Sequence, residues 1–225
     1  MSANTQPDWE RLLIAAARLQ RILPGTVLVG GTASAIHARH RFSNDADHVL
    51  ADLRPRFDQI LAELESTAGW KTARVNRPAL ILGSLDGIET GIRQLVRAAP
   101  LETSVITRHG EPLTLPTPAE ILRIKAVLIL KRNATRDYLD FAALAAELGD
   151  PGVLEALKTF DSLYPQASGE SALMQVQIQL ANPMPFDLDD ESLAEYRNLD
   201  SRWESWGTVK DMCAHLATMI FDGAA

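Results

Sequence analysis

A short apolar run, Val27–Val29, leads into Gly30-Gly31, and Asp45-Ala46-Asp47 follows after enough chain for one short helix. Apolar strand, glycine turn, helix and then an alternating acid pair is the most constraining stretch of this sequence. Side chains two apart on a strand point to the same face, so Asp45 and Asp47 are expected to project together. Two carboxylates on one face repel unless something positive sits between them, and a hard divalent cation such as Mg2+ suits that place. A glycine turn at a helix N-terminus suits an anion such as phosphate. Metal plus phosphate points to nucleotidyl or phosphoryl transfer.

The bulk properties narrow the class. With 225 residues and 46% hydrophobic content, the chain can bury a sizeable core in one large domain or two small ones. A formal net charge of -7 excludes an overall basic field and with it non-specific coating of nucleic acid, while leaving a local basic cleft open. The lone Cys213 excludes an internal disulfide and a cysteine zinc cluster and suits a reducing cytoplasm. The N-terminal MSANTQPDWERL lacks a basic-then-apolar signal pattern, and no apolar run is long enough to span a bilayer. The expectation is a cytoplasmic protein with no membrane partner.

Along the chain, Asp8–Leu23 has helical spacing and stops at Pro24-Gly25. Thr26–Val29 is expected as a strand, Ala33–His40 as a helix, Ala46–Leu50 as a strand and Pro55–Ala68 as a helix. Trp70–Val75, Ala79–Leu82 and Ile88–Val96 are expected strands with a turn at Asp86-Gly87; Val105–Arg108 and Leu113–Leu115 suggest a further hairpin. Thr117-Pro118-Ala119-Glu120 then starts a helix, with Thr as N-cap, Pro at the first position and Glu closing a capping box. Helices are expected from there on, at 119–131, 136–148, 151–159, 170–180, 188–198 and 202–221. The fold class is thus α/β (α+β): a mixed-sheet core over residues 1–116, and a helical region over 117–225 that completes the cleft.

Other residues carry the chemistry less directly. Lys125, Lys131, Arg132, Arg136, Asp137 and Asp140 sit on the first two of those later helices. A lysine aimed into a cleft would balance phosphate charge. The bland alternative is an Arg136–Asp140 pair at i,i+4 on a solvated face, contributing only tenths of a kcal/mol. His48 would point away from Asp47 and is taken as structural, while His40, just before Arg41, would help hold the loop. Trp203, Trp206, Met212, Met219 and Phe221 form an apolar helical stripe that suits a core or partner-facing helix. Arg74, Arg77, Arg93 and Arg97 are either scattered surface charges or the lining of a nucleic-acid path.

Val29-Gly30-Gly31-Thr32-Ala33, followed by Arg41-Phe42-Ser43-Asn44-Asp45-Ala46-Asp47, resembles the opening of the nucleotidyltransferase superfamily. Within it the chain is most similar to the AbiEii/AbiGii toxin family of type IV toxin–antitoxin systems. Lys125 and Arg136-Asp137-Tyr138-Leu139-Asp140-Phe141 match that family's later lysine and Arg-Asp-x-x-Asp run. The resemblance spans roughly residues 25–145 and implies a nucleotidyltransferase-like fold. It also implies a third carboxylate from a later strand. Gly91 occupies that acid's position, and Glu89 lies two residues earlier on the same strand face. Either Glu89 substitutes, or a bulge at Gly91 shifts the register, or transfer chemistry is lost and nucleotide binding remains.

The resemblance implies the following assignment. Asp45 and Asp47, with Glu89, hold Mg2+. Gly30, Gly31, Thr32 and Ser43 cradle the triphosphate of an NTP, and Lys125, with Arg132 or Arg136, steadies it. Asp137 and Asp140 orient Lys125 or Arg136, or act on the incoming hydroxyl. The acceptor would be tRNA or another cellular target, and the partner a cognate antitoxin. Two alternatives stay open: a small-molecule nucleotidyltransferase of the aminoglycoside-modifying kind, and a catalytically reduced nucleotide-binding relative.

Overall fold

The computed structural model describes residues 5–188, 193 and 195–223, with side chains from residue 8 onward. It divides into two compact units. One runs up to Ala33 and again from Ser43 to Thr117; the other comprises Ser34–Phe42 and the chain from Pro118 onward.

The first unit is built on α1 (Thr5–Ile22), β1 (Val27–Leu28), the start of α2 (Gly30–Ala38), β2 (Asp45–Leu50), α3 (Leu53–Ser66), β3 (Trp70–Asn76), β4 (Leu80–Leu85), β5 (Ile88–Gln94), β6 (Thr103–Arg108) and β7 (Glu111–Pro116). Among the described residues, five strands form one mixed sheet in the order β1-β2-β5-β4-β3, and β6 pairs with β7 separately. β2 and β5 are parallel, and the other neighbours are antiparallel. This is the mixed α/β core expected from the sequence. Asp86 and Gly87 turn between β4 and β5 with φ of 53° and 81°, the left-handed pair that a two-residue hairpin needs.

Alternation along the strands separates two sheet faces. Ala46, His48 and Leu50 of β2 are buried, as are Ile81 and Leu85 of β4 and Ile92 of β5. Leu50, Ile81, Leu85 and Ile92 pack with Leu19, Leu53, Phe57, Ile60, Leu64 and Trp70 into a core beneath α1 and α3. Burying each such side chain contributes about 1.5–3 kcal/mol, which fixes the strand register and so decides which side chains face outward.

The second unit contains the end of α2, then α4 (Pro118–Arg132), α5 (Thr135–Leu157), α6 (Phe160–Leu163), α7 (Ala172–Ala181) and α8 (Trp206–Gly223). α5 is kinked at Gly149 (φ 67°), just ahead of Pro151. α7 starts at Ser171, whose hydroxyl accepts from the Met174 amide. Of the helix expected over 188–198, residues 189–192 and 194 lie outside the described residues, and 195–198 form turns and a bend. Trp203 of the expected apolar stripe is buried in a short 3-10 turn, and Phe221 is exposed. α2 begins at Gly30 itself, earlier than expected: Gly30 at φ 72° is the left-handed turn into the helix.

Candidate active site

In the first unit, the sheet face away from the core carries the acids. Asp45, Asp47 and Val49 of β2 share this face and are half-buried. The parallel register sets Glu89 opposite Asp45, Gly91 opposite Asp47 and Arg93 opposite Val49. β4 continues the rows with Ser84, Leu82 and Leu80, and β3 adds Lys71, Arg74 and Asn76, all three exposed. One row therefore runs Asp45–Glu89–Ser84–Lys71 and spans about three strand spacings, roughly 14 Å. Acid concentrates on β2 and basic charge towards β3.

Local hydrogen bonds fix the acid pair. Ser43 Oγ donates to Asp45 Oδ1 at 2.8 Å and holds that carboxylate in one orientation. The buried Thr32 donates from Oγ1 to the Asp45 carbonyl at 2.5 Å, tying the first turn of α2 to the start of β2. The Val29 amide donates to the Asp47 carbonyl at 2.8 Å. A Cβ built on Gly30 would lie 3.5 Å from the Asp47 Cβ, so the start of α2 lies directly against Asp47. Amides at a helix N-terminus favour negative charge there. On the opposite face, His48 bonds the Ala46 carbonyl through Nδ1, and burial pushes its pKa down to about 4.

Gly91 is a close-approach position. A Cβ there would lie 2.7 Å from Leu82 Cδ2 and 2.8 Å from Asp47 Oδ1. The β2–β5 and β4–β5 registers run through it unbroken, so the strand has no bulge at Gly91. Glu89 is exposed beside Asp45, and among the described residues no three His, Cys, Asp or Glu side chains gather as a metal cluster. The two carboxylates that share this face at the β2–α2 junction are Asp45 and Asp47. Such a pair would fit Mg2+, which characteristically takes one or two carboxylates and completes its shell with substrate phosphate and water. Arg93 Nε stands 3.9 Å from Asp47 Oδ1.

The second unit holds a buried charge network. Asp140 receives Arg41 Nε at 2.8 Å and Arg41 Nη2 at 3.0 Å, a two-pronged grip, and also meets His40 Nε2 at 2.7 Å and Lys125 Nζ at 2.6 Å. Burial pushes the Asp140 pKa up, but Arg41, Lys125 and His40 outweigh it and hold the carboxyl well below its ordinary range. Asp137 is also fully buried. Lys125 lies 3.4 Å from its Oδ1, and Arg132 bonds both of its oxygens. Lys125 is 1% exposed and Arg132 36%, so Arg132 is the cation of this network that reaches water.

Of the residues singled out in the sequence, Gly30, Gly31, Thr32, Ser43, Asp45 and Asp47 come together at the β2–α2 junction. Glu89 lies opposite Asp45 in register, and among the described residues no cluster of three such side chains forms. Lys125, Asp137 and Arg132 form one network in the second unit. Arg136 is exposed, and Asp140 pairs with Arg41 and Lys125 in place of an i,i+4 bond to it. Arg93 carried no separate signal, although period-two spacing from Gly91 puts it on the Asp47 face. The Arg41–Asp140 pairing spans 99 positions and has no local signature.

A family model described as nucleotidyl transferase AbiEii toxin, type IV TA system, matches residues 11–222. The solved structure of JHP933 from Helicobacter pylori aligns at a TM-score of 0.55 and 15% identity, over 96% of this chain and 91% of that one. The antibiotic-resistance factor ANT(2'')-Ia aligns at 0.50 and 16% identity, over 69% of this chain and 92% of that one. At such identities the likeness is one of fold. The heme uptake protein MmpL11 of Mycobacterium tuberculosis is 34% identical over 131 residues, which is 57% of this chain. The chain spans only 13% of the length of that curated relative. With a mixed nucleotidyltransferase-like sheet, an Asp-x-Asp pair beside a glycine-started helix and a match over nearly its whole length, this chain belongs to the AbiEii nucleotidyl transferase toxin family of type IV toxin–antitoxin systems.

Proposed function

We propose that the protein is a metal-dependent nucleotidyltransferase that moves a nucleoside monophosphate from an NTP to an acceptor hydroxyl, and that it acts as a toxin on tRNA or another cellular target. The observation that carries this reading is the Asp45–Asp47 pair on one sheet face, with Ser43 orienting Asp45 and the N-terminus of α2 against Asp47.

In this reading Asp45 and Asp47 hold Mg2+, which when bound neutralises charge at the reacting phosphate. The amides of Gly30 and Gly31 at the start of α2 receive phosphate oxygens. Thr32 and Ser43 hold the β2 backbone and the Asp45 carboxylate in place. The acceptor oxygen bonds to the α-phosphorus, the bond from that phosphorus to the bridging oxygen breaks, and pyrophosphate leaves with the electron pair. Glu89, exposed beside Asp45, takes the hydroxyl proton. Most of the rate comes from positioning and charge. Lys125 is a positioning residue that keeps Asp137 and Asp140 neutralised. Asp137 in turn aligns Arg132, to which we assign phosphate binding in the second unit; Arg136, exposed on the same helix as Asp137, is an auxiliary cation.

A small-molecule acceptor is the second reading, favoured by the net charge of -7, which suits a cationic substrate. Induced expression separates the two. Growth arrest that Asp45→Ala abolishes, and that co-expression of a neighbouring antitoxin gene relieves, supports the toxin. Unimpaired growth with aminoglycoside resistance supports the small-molecule enzyme and overturns the toxin.

A further inference from the structure

We infer that Arg93 is a phosphate-binding residue of the Asp45–Asp47 site, and that the site works with one divalent ion plus this guanidinium in place of two ions. The inference rests on the transferase reading above. Two-ion sites hold their metals with carboxylates placed on both sides of the reacting group. This sheet presents no carboxylate opposite Asp47, where Gly91 stands. A Cβ at Gly91 would lie 2.8 Å from Asp47 Oδ1 and 2.7 Å from Leu82 Cδ2, so glycine there leaves that space to the Asp47 carboxylate, and the unbroken register keeps Gly91 directly opposite Asp47.

What β5 presents on that face next is Arg93, with Nε 3.9 Å from Asp47 Oδ1 and its side chain 48% exposed. A contact that long and that wet is weak, so exchanging it costs little. The planar fork of a guanidinium matches phosphate oxygens in two-pronged fashion. Because Gly91 has no side chain, nothing on β5 stands between Arg93 and the space beside Asp47. In the free protein Arg93 leans on Asp47. When Asp47 turns to a metal ion, Arg93 is released to a phosphate of the arriving nucleotide.

The two roles give opposite signs in binding, which a merely structural residue would not. Mn2+ binding to the full-length protein, followed by electron paramagnetic resonance, and binding of a non-hydrolysable NTP analogue read both. The expected stoichiometry is one Mn2+ per chain with the analogue present. Arg93→Ala is expected to tighten Mn2+ binding without nucleotide by a few-fold, since a competing cation is removed. The same variant should weaken the analogue by about tenfold, the scale of one charge-assisted bond, with Arg93→Lys recovering part. Two Mn2+ per chain, or unchanged analogue affinity in Arg93→Ala, overturns the inference. Asp47→Asn separates the two levels. If it abolishes Mn2+ binding while Arg93→Ala changes nothing, the Arg93 assignment alone falls; if it leaves Mn2+ bound, the transferase reading falls with it.

Discussion

Arg41 holds Asp140 by both edges, with Nε on Oδ1 at 2.8 Å and Nη2 on Oδ2 at 3.0 Å, and both side chains are buried. His40 and Lys125 close on the same carboxylate. This pairing fastens the Ser34–Phe42 segment to α4 and α5 and explains why that segment groups with the helical unit. The Phe42 amide bonds the Arg197 carbonyl at 2.7 Å, and the Asp200 amide bonds the His40 carbonyl at 2.7 Å, so the chain before the 3-10 turn is tied to the same segment.

Removing one partner of a buried ion pair leaves the others uncompensated. Asp140→Asn is therefore expected to lower stability by about 3–5 kcal/mol, measured by urea unfolding at neutral pH.

The same carboxylate sets an acid dependence. Its folded pKa lies well below the unfolded value, so its stabilisation is fully present above the unfolded value, near pH 4. It fades as pH falls from there through the lower folded value. Urea midpoints between pH 6 and 2.5 should drop less steeply for Asp140→Asn than for wild type. Equal slopes would mean that Asp140 is not the group held down.

Gly91→Ala should cost at most about 1 kcal/mol in stability, because the added carbon meets only the movable ends of Leu82 and Asp47. The change also pushes on Asp47 Oδ1, so Mn2+ affinity should fall with it. Thermal unfolding and metal titration on one preparation check both, and a stable variant with undiminished Mn2+ affinity would contradict the close packing described.

Ser43→Ala removes the bond that orients Asp45. The fold should lose only about 0.5–1.5 kcal/mol, since one ordinary hydrogen bond is lost. Mn2+ affinity should fall several-fold, less than in Asp45→Asn, as isothermal titration would show.

How far the sequence could be read depends on the range of the interactions involved. Asp45 and Asp47 share a face because β2 alternates, and alternation is visible in six residues. The α/β first half and helical second half, the Asp86-Gly87 hairpin and the β6–β7 pair were legible for the same local reason. The start of α2 was not, since a glycine at φ 72° is the opposite of a helix-former until the backbone turns into the first amide. Nor were the partners of Asp140: an i,i+4 arginine was at hand in Arg136, and the tertiary fold chose Arg41, 99 positions away. The close approach at Gly91 depends on Leu82, from the neighbouring strand, and on Asp47, and pairwise spacing cannot show it.

In the proposed function, nucleotidyl transfer depends on Asp45 and Asp47. Its most direct test incubates the wild-type protein and Asp45→Ala with α-labelled NTPs, total RNA and Mg2+, with folding of both checked by circular dichroism. Label on RNA from wild type, absent from Asp45→Ala and absent when the metal is chelated, is the expected result. Equal labelling by the two proteins, or measurable NTP binding with no label transferred to any acceptor, would contradict it.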